Sequence, residues 1–167
     1  LRKDNPLLTT RGGKNPEPLR VVFTKSLDLP SKSNLWDCNK AKTLVIYDSS
    51  TANKSYLKRI PKCVEVEKVS SDDPGLISKI LASRGCNKVL WECGPSLATA
   101  AMKSNCIQEI ITFIAPKILG GENSMNPFGD FEFEEMHEVI KLSDSQVSLI
   151  SKDICLSLIH ISEPTRR

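Results

Sequence analysis

Between residues 43 and 118, short apolar runs alternate with helix-like segments of about ten residues. Consecutive strands joined this way cannot form hairpins. Each crossover carries a helix, so the strands come out parallel with right-handed connections. The runs are "TLVIYD" (43–48), "CVEVEKV" (63–69), "NKVLWE" (87–92) and "QEIITFIAPKI" (108–118). Before them, "LRVVFT" (19–24) is β-branched and apolar enough to be a further buried strand, preceded by the loop "GGKNPEP". The 167 residues suit one α/β domain with a real core.

The helical segments carry their own punctuation. "SSDDP" (70–74) offers an N-cap and an N1 proline for "GLISKILASRG", with Leu76, Ile77, Ile80 and Leu81 on one face and Gly85 at C′. "PSLATAAMKSN" (95–105) is a second helix. "ANKSYLKRI" (52–60) is a short helix that Pro61 stops. "LDLPSKSNLWDCNKAK" is turn-rich and irregular, and "EVIKLSDS" with "QVSLISKDICL" reads as a terminal antiparallel pair.

Composition narrows the function classes. Apolar residues make up 40% and charged residues 26%, as in ordinary globular proteins. A net charge of +3, with scattered Lys and Arg, argues against a nucleic-acid partner. No apolar run approaches a membrane span. The six cysteines form no C-x-x-C pair and have two histidines for company, so no metal site is expected. They read as reduced thiols in a reducing compartment.

The stretch "LWECGPSLATAAM" (90–102) concentrates the chemistry. An apolar run ends at Glu92, on what would be the carboxyl edge of a parallel sheet, where ligands bind in open α/β folds. Gly94, Pro95 and Ser96 then open a helix whose first N–H groups lack intrahelical partners and whose dipole is positive there. Leu97, Ala98, Thr99, Ala100 and Ala101 leave room for a ligand against the helix. The residues read either as a diphosphate cradle or as a tight strand–helix turn with small packing residues.

"VLWECGPSLATAAM", "IAPKILGG", "DNPLLTTR" and "PLRVVFTKSLDLP" resemble, in the same order, the reductase domain of the riboflavin-biosynthesis deaminase–reductases, in the flavour of plant, algal and cyanobacterial members. The resemblance runs from about residue 3 to residue 155. It implies an α/β fold like that of dihydrofolate reductase: a mostly parallel central sheet, flanking helices and a C-terminal antiparallel pair. It implies NADPH as cofactor and the reduction of 5-amino-6-(5-phosphoribosylamino)uracil to its ribitylamino product.

By the same resemblance, Asp4 is a cofactor-contacting acid, Leu8 and Arg11 lie on the substrate side, and Glu92 is a substrate position. Gly94, Pro95, Ser96, Leu97, Ala98, Thr99 and Ala100 form the cofactor's diphosphate loop. Asp4 and Glu92 are the acids placed to handle protons during ring opening. Arg11 suits the substrate's phosphate, which a guanidinium grips bidentately. Lys25 stands where many relatives carry a small hydroxyl against the cofactor, and is read as a contact to the 2′-phosphate. Asn5 replaces an Asp of many relatives, Lys117 belongs to the "APKxxGG" pattern, and Gly120–Gly121 read as a structural turn.

The chain has no initiator Met and starts like the interior of a protein. The resemblance places upstream a first strand of this domain and a zinc deaminase domain, and predicts a homodimer in the cytoplasm or plastid stroma. Residues 1–155 form the reductase domain, truncated at its start. Residues 156–167 read as non-native, because "LSLIHISEPTR" is the in-frame translation of a transposase sequencing adapter; the alternative is a genuine strand "ICLSLIHI". His160 therefore carries no functional weight. Two other functions stay open: a non-catalytic scaffold for a deaminase, and a reductase of another pyrimidine or pterin.

Overall fold

The computed structural model describes residues 2, 4–13, 16–121, 124 and 126–160. The chain divides into two units, Leu1–Asp72 and Asp73–Arg167.

The first unit is built on a three-stranded parallel sheet in the order β1-β2-β3. Strand β1 is Arg20–Thr24, β2 is Thr43–Asp48 and β3 is Glu65–Val69. Their registers pair Thr24 with Tyr47 and Asp48 with Val69, so all three strands end together. Central β2 is buried at every position, which is why its sequence is nearly continuous apolar rather than alternating. Val45 and Tyr47 pack with Leu27 and Val64, and Val22, Trp36, Tyr56 and Leu57 close the cluster. The expected short helix before Pro61 is a 3-10 helix, Lys54–Arg59, and the turn-rich segment holds a second, Asn34–Trp36.

One cysteine expectation is overturned here. Cys38 and Cys63 are joined in a disulfide, with Cα atoms 6.3 Å apart. Cys38 precedes β2 and Cys63 precedes β3, so adjacent parallel strands bring them together at the sheet's amino edge. Cys86, Cys93, Cys106 and Cys155 are free thiols.

The second unit begins as the sequence predicts. Asp73 caps helix α1 (Pro74–Ser83) by accepting from the Gly75 N–H at 2.9 Å, and Pro74 fills the first turn. Ile77 and Leu81 are buried, and Gly85 takes the left-handed C′ position at φ 84°. Helix α2 is Pro95–Lys103. Ser104, just past its end, donates to Asp73 at 3.1 Å, tying the two helices. An antiparallel sheet follows in the order β4-β6-β5, from Glu109–Ile114, Asp153–Ile159 and Ser143–Ile150. The terminal pair exists, but its turn lies at Ser151–Lys152 rather than before Gln146.

Residues 87–92 differ from expectation: they form no strand. Leu90 is 79% exposed. Apolar, β-branched composition supplies only propensity; a strand also needs a neighbour's ladder, and no described strand pairs with this one.

Candidate functional site

In the first unit the candidate residues sit on a strained loop held from two sides. Asn5, Leu8 and Arg11 all adopt left-handed φ, at 39°, 48° and 50°. For a side chain as bulky as leucine this costs of order 1–2 kcal/mol. Two anchors keep the loop in place. The Asn5 side-chain oxygen accepts from the Asn34 N–H at 2.8 Å and the Ser33 hydroxyl at 3.2 Å, while the Asn34 amide donates to the Asn5 carbonyl at 2.7 Å. Thr10 donates its N–H and hydroxyl to Glu17 at 3.0 and 2.8 Å. These bonds hold the Glu17 carboxyl below the ordinary glutamate range.

The residue that sequence reading missed is Arg20. It is 1% exposed, and its guanidinium donates to the carbonyls of Leu7 (3.4 Å), Asn34 (3.2 Å), Asp37 (2.9 Å) and Ala41 (2.5 Å). Its Nε finds no acceptor. Burial pushes its pKa down, and the Asp37 and Glu17 charges oppose that shift. Nothing in "LRVVFT" distinguishes an arginine facing solvent from one facing four carbonyls. Asp4 and Arg11 are exposed and Leu8 is half-buried.

Lys25 follows β1 directly and forms an ion pair with Asp72. The Thr51 hydroxyl donates to the Lys25 carbonyl at 2.9 Å. A cleft of about 560 Å³ opens beside this unit's first loop, lined by Arg2, Asp28, Lys32 and Arg59 among others. None of the expected site residues lines it.

In the second unit, Glu92, Gly94 and Ser96 are exposed, Pro95, Leu97 and Ala100 are half-buried, and Ala98 and Thr99 are buried. The small residues thus do two jobs. Ala98, Ala101 and Met102 seat the helix on the core, and the opposite side of the first turn stays open. No side chain caps α2 at Gly94, and Pro95 has no N–H, which leaves the amides of Ser96 and Leu97 as its donors to a ligand. Gly94 lies in the extended region, and a Cβ built on it meets nothing within 4 Å. Burial raises the pKa of Cys93, so this thiol is a poor nucleophile despite its place beside Glu92.

A second overlooked contact braces the same turn. The Gly129 N–H donates to the Thr99 hydroxyl at 2.8 Å, and a Cβ at Gly129 would sit 3.4 Å from that oxygen. Phe131 and Phe133 stack with centroids 5.1 Å apart, and Phe128 lies 5.9 Å from Phe131. Gly120 and Gly121 have positive φ, as a structural turn requires. His160 lies 2.9 Å from the Ile107 carbonyl through Nδ1 and pairs its backbone N–H with Gln108. Among the described residues, no group of three or more His, Cys, Asp or Glu is arranged to hold a metal ion. Likewise, no described helix is long and apolar enough to cross a membrane.

A parallel three-stranded sheet in the first unit, and in the second two helices with an antiparallel sheet, define a protein of the α/β class. The profile described as the RibD C-terminal domain matches residues 1–156, and the chain belongs to that family. It is 38% identical over 158 residues to the chloroplastic riboflavin biosynthesis protein PYRR of Arabidopsis thaliana, covering 94% of this chain and 26% of the relative. It is 40% identical over 155 residues to riboflavin biosynthesis protein RibD of Synechocystis, covering 92% of this chain and 42% of the relative. The chain thus spans less than half the length of these relatives.

Among solved structures, it resembles a deaminase/5-amino-6-(5-phosphoribosylamino)uracil reductase of Thermotoga maritima with a TM-score of 0.72 and 20% identity, over 96% of this chain and 42% of that one. That likeness supports the α/β fold expected for such a domain.

Proposed function

We propose that this chain reduces 5-amino-6-(5-phosphoribosylamino)uracil with NADPH, opening the ribose to the ribityl product. The observation that carries the reading is the open first turn of α2: two unclaimed amides, a glycine with free space at its Cβ, and the family match across them. That space would be filled by any larger residue, so the turn fits a diphosphate. Gly94 to Ala100 would hold the diphosphate, with Ala98 and Thr99 shaping the turn from below. The family resemblance adds Asp4 and Lys25 as cofactor contacts. When bound, the nicotinamide supplies the hydride that reduces C1′.

The chain's own residues do the rest. Arg11 grips the substrate phosphate, and Leu8 offers an apolar contact beside it. Their left-handed backbone fixes the direction in which both side chains leave the loop. Glu92 accepts hydrogen bonds from pyrimidine N–H groups or ribose hydroxyls. Asp4 and Glu92 are the acids that exchange the proton as the ring opens.

The greater length of the relatives, together with a Thermotoga maritima protein that joins a deaminase to the reductase, supports a deaminase domain in the whole protein, which the resemblance places upstream. The open faces of the second sheet, where Phe113, Val147 and Leu149 are exposed, support a homodimer. The chloroplastic relative favours a plastid, with the bacterial cytoplasm as the other setting. The family match ends at residue 156, and residues 156–159 pair with β4 within β6.

The test is to incubate the chain with NADPH and the phosphoribosylamino pyrimidine, and to follow NADPH oxidation together with the ribitylamino product by chromatography. Product formed in proportion to NADPH consumed supports the reading. A chain whose melting temperature does not move with saturating NADPH is a scaffold instead.

A further inference from the structure

The two helices of the second unit are held at their starts in different ways. In α1 the Asp73 carboxylate accepts from the Gly75 N–H. In α2 the N-cap is Gly94, which has no side chain to cap with. A capping side chain there would take the amide at N2 or N3, which is Ser96 or Leu97. A helix of nine residues without a cap frays from its first turn unless packing holds it. Here the hold comes from the side. Residues 128–133 follow the face of α2 that carries Pro95, Thr99 and Lys103, each one turn from the next. The Gly129 N–H donates to the Thr99 hydroxyl at 2.8 Å and also to the Pro95 carbonyl at 3.4 Å. One turn on, Glu132 lies 3.7 Å from the Lys103 ammonium, which sits 6.0 Å from the Phe131 ring centre.

Local bonds stiffen this segment. The Asp130 carboxylate accepts from the Glu132 N–H at 2.7 Å and steadies Glu132 in its left-handed conformation, φ 59°. Phe131 and Phe133 stack on either side of it. We infer that residues 128–133 are a strap, and that Gly129 and Thr99 are positioning residues. They hold the first turn of α2 helical while leaving the Ser96 and Leu97 amides unclaimed. A cap would steady the same turn only by consuming one of those amides. The Thr99 hydroxyl thus serves the strap, and its effect on the cofactor passes through the turn.

That effect on the cofactor rests on the NADPH reading above, whereas amide exchange tests the strap without cofactor. The Ala98 N–H donates to the Gly94 carbonyl at 3.0 Å and so reports the first turn. T99V and G129P remove the acceptor and the donor of one bond. Each should speed exchange at Ala98 by about fivefold or more relative to amides of α1. Each should also weaken NADPH binding, measured by calorimetry, by roughly three- to tenfold. T99S and G129A keep both partners and should stay within about twofold of the parent. The double variant T99V/G129P should lose no more than the weaker-binding single variant, because both break the same contact. Unmoved Ala98 exchange in T99V and G129P overturns the strap. So does NADPH weakened in T99V but not in G129P, the result expected of a hydroxyl that touches the cofactor itself. Lower melting temperatures with NADPH affinity intact in both variants leave the contact purely structural and overturn its positioning role. If the parent binds no NADPH, the cofactor reading falls, and Ala98 exchange alone decides the strap.

Discussion

Asn5 and Asn34 clasp each other through reciprocal hydrogen bonds of 2.8 and 2.7 Å, and this clasp fixes the loop that carries Leu8 and Arg11. Asn5 also takes a left-handed conformation, which asparagine tolerates better than most residues. Asn5→Ala should cost about 1–2 kcal/mol in urea unfolding and raise the KM for the phosphorylated substrate several-fold. Asn5→Asp keeps the acceptor and the backbone tolerance and should stay within about 0.5 kcal/mol of the parent. Equal losses in the two variants would show that the side-chain oxygen is not the anchor.

Arg20 makes the loop's base. Arg20→Met would leave the carbonyls of Leu7, Asn34, Asp37 and Ala41 without this donor inside the protein, at a cost of about 3 kcal/mol or more. Arg20→Lys should recover only part of that, because one ammonium cannot span acceptors that a planar fork reaches. Chemical denaturation of both variants checks the order: parent, Lys, Met.

The Thr10–Glu17 contact gives a pH dependence whose sign follows from the lowered Glu17 pKa. The folded state binds this proton less readily than the unfolded chain. Its stabilisation is therefore complete above the unfolded glutamate pKa and is lost as pH falls through the lower folded value. Amide exchange at Thr10 should accelerate across that acidic window in the parent, relative to distant amides. In Glu17→Gln the same amide should show no step there.

How far the sequence foretold this molecule varies by element. Helix α1 was legible because Asp73, Pro74 and Gly85 each act within one turn of the chain. The β5–β6 turn was misplaced because Ser151, at φ 59°, does the work normally signalled by glycine or asparagine. Residues 87–92 have the composition of a strand, but pairing is a property of the neighbour, which local sequence does not reveal. Arg20's burial and the Cys38–Cys63 bridge depend in the same way on contacts across 13 or more residues. The Gly-Pro-Ser turn, by contrast, was readable because its openness follows from residues that lack side chains or donors.

Glu92 lies two residues before that turn and is exposed. Glu92→Gln should raise the KM for the pyrimidine or lower kcat by about tenfold or more, with NADPH affinity intact. Steady-state kinetics alongside direct cofactor titration separates the two. Unchanged kinetics would remove Glu92 from the site.

The central claim is that the cofactor's diphosphate rests on the Ser96 and Leu97 amides. It is tested most directly by titrating NADPH into Gly94→Val and the parent. Space at the Gly94 Cβ predicts that the variant folds with little change in melting temperature. The account predicts at least about a tenfold loss of NADPH affinity in that folded variant. Equal affinity in the two proteins would contradict it.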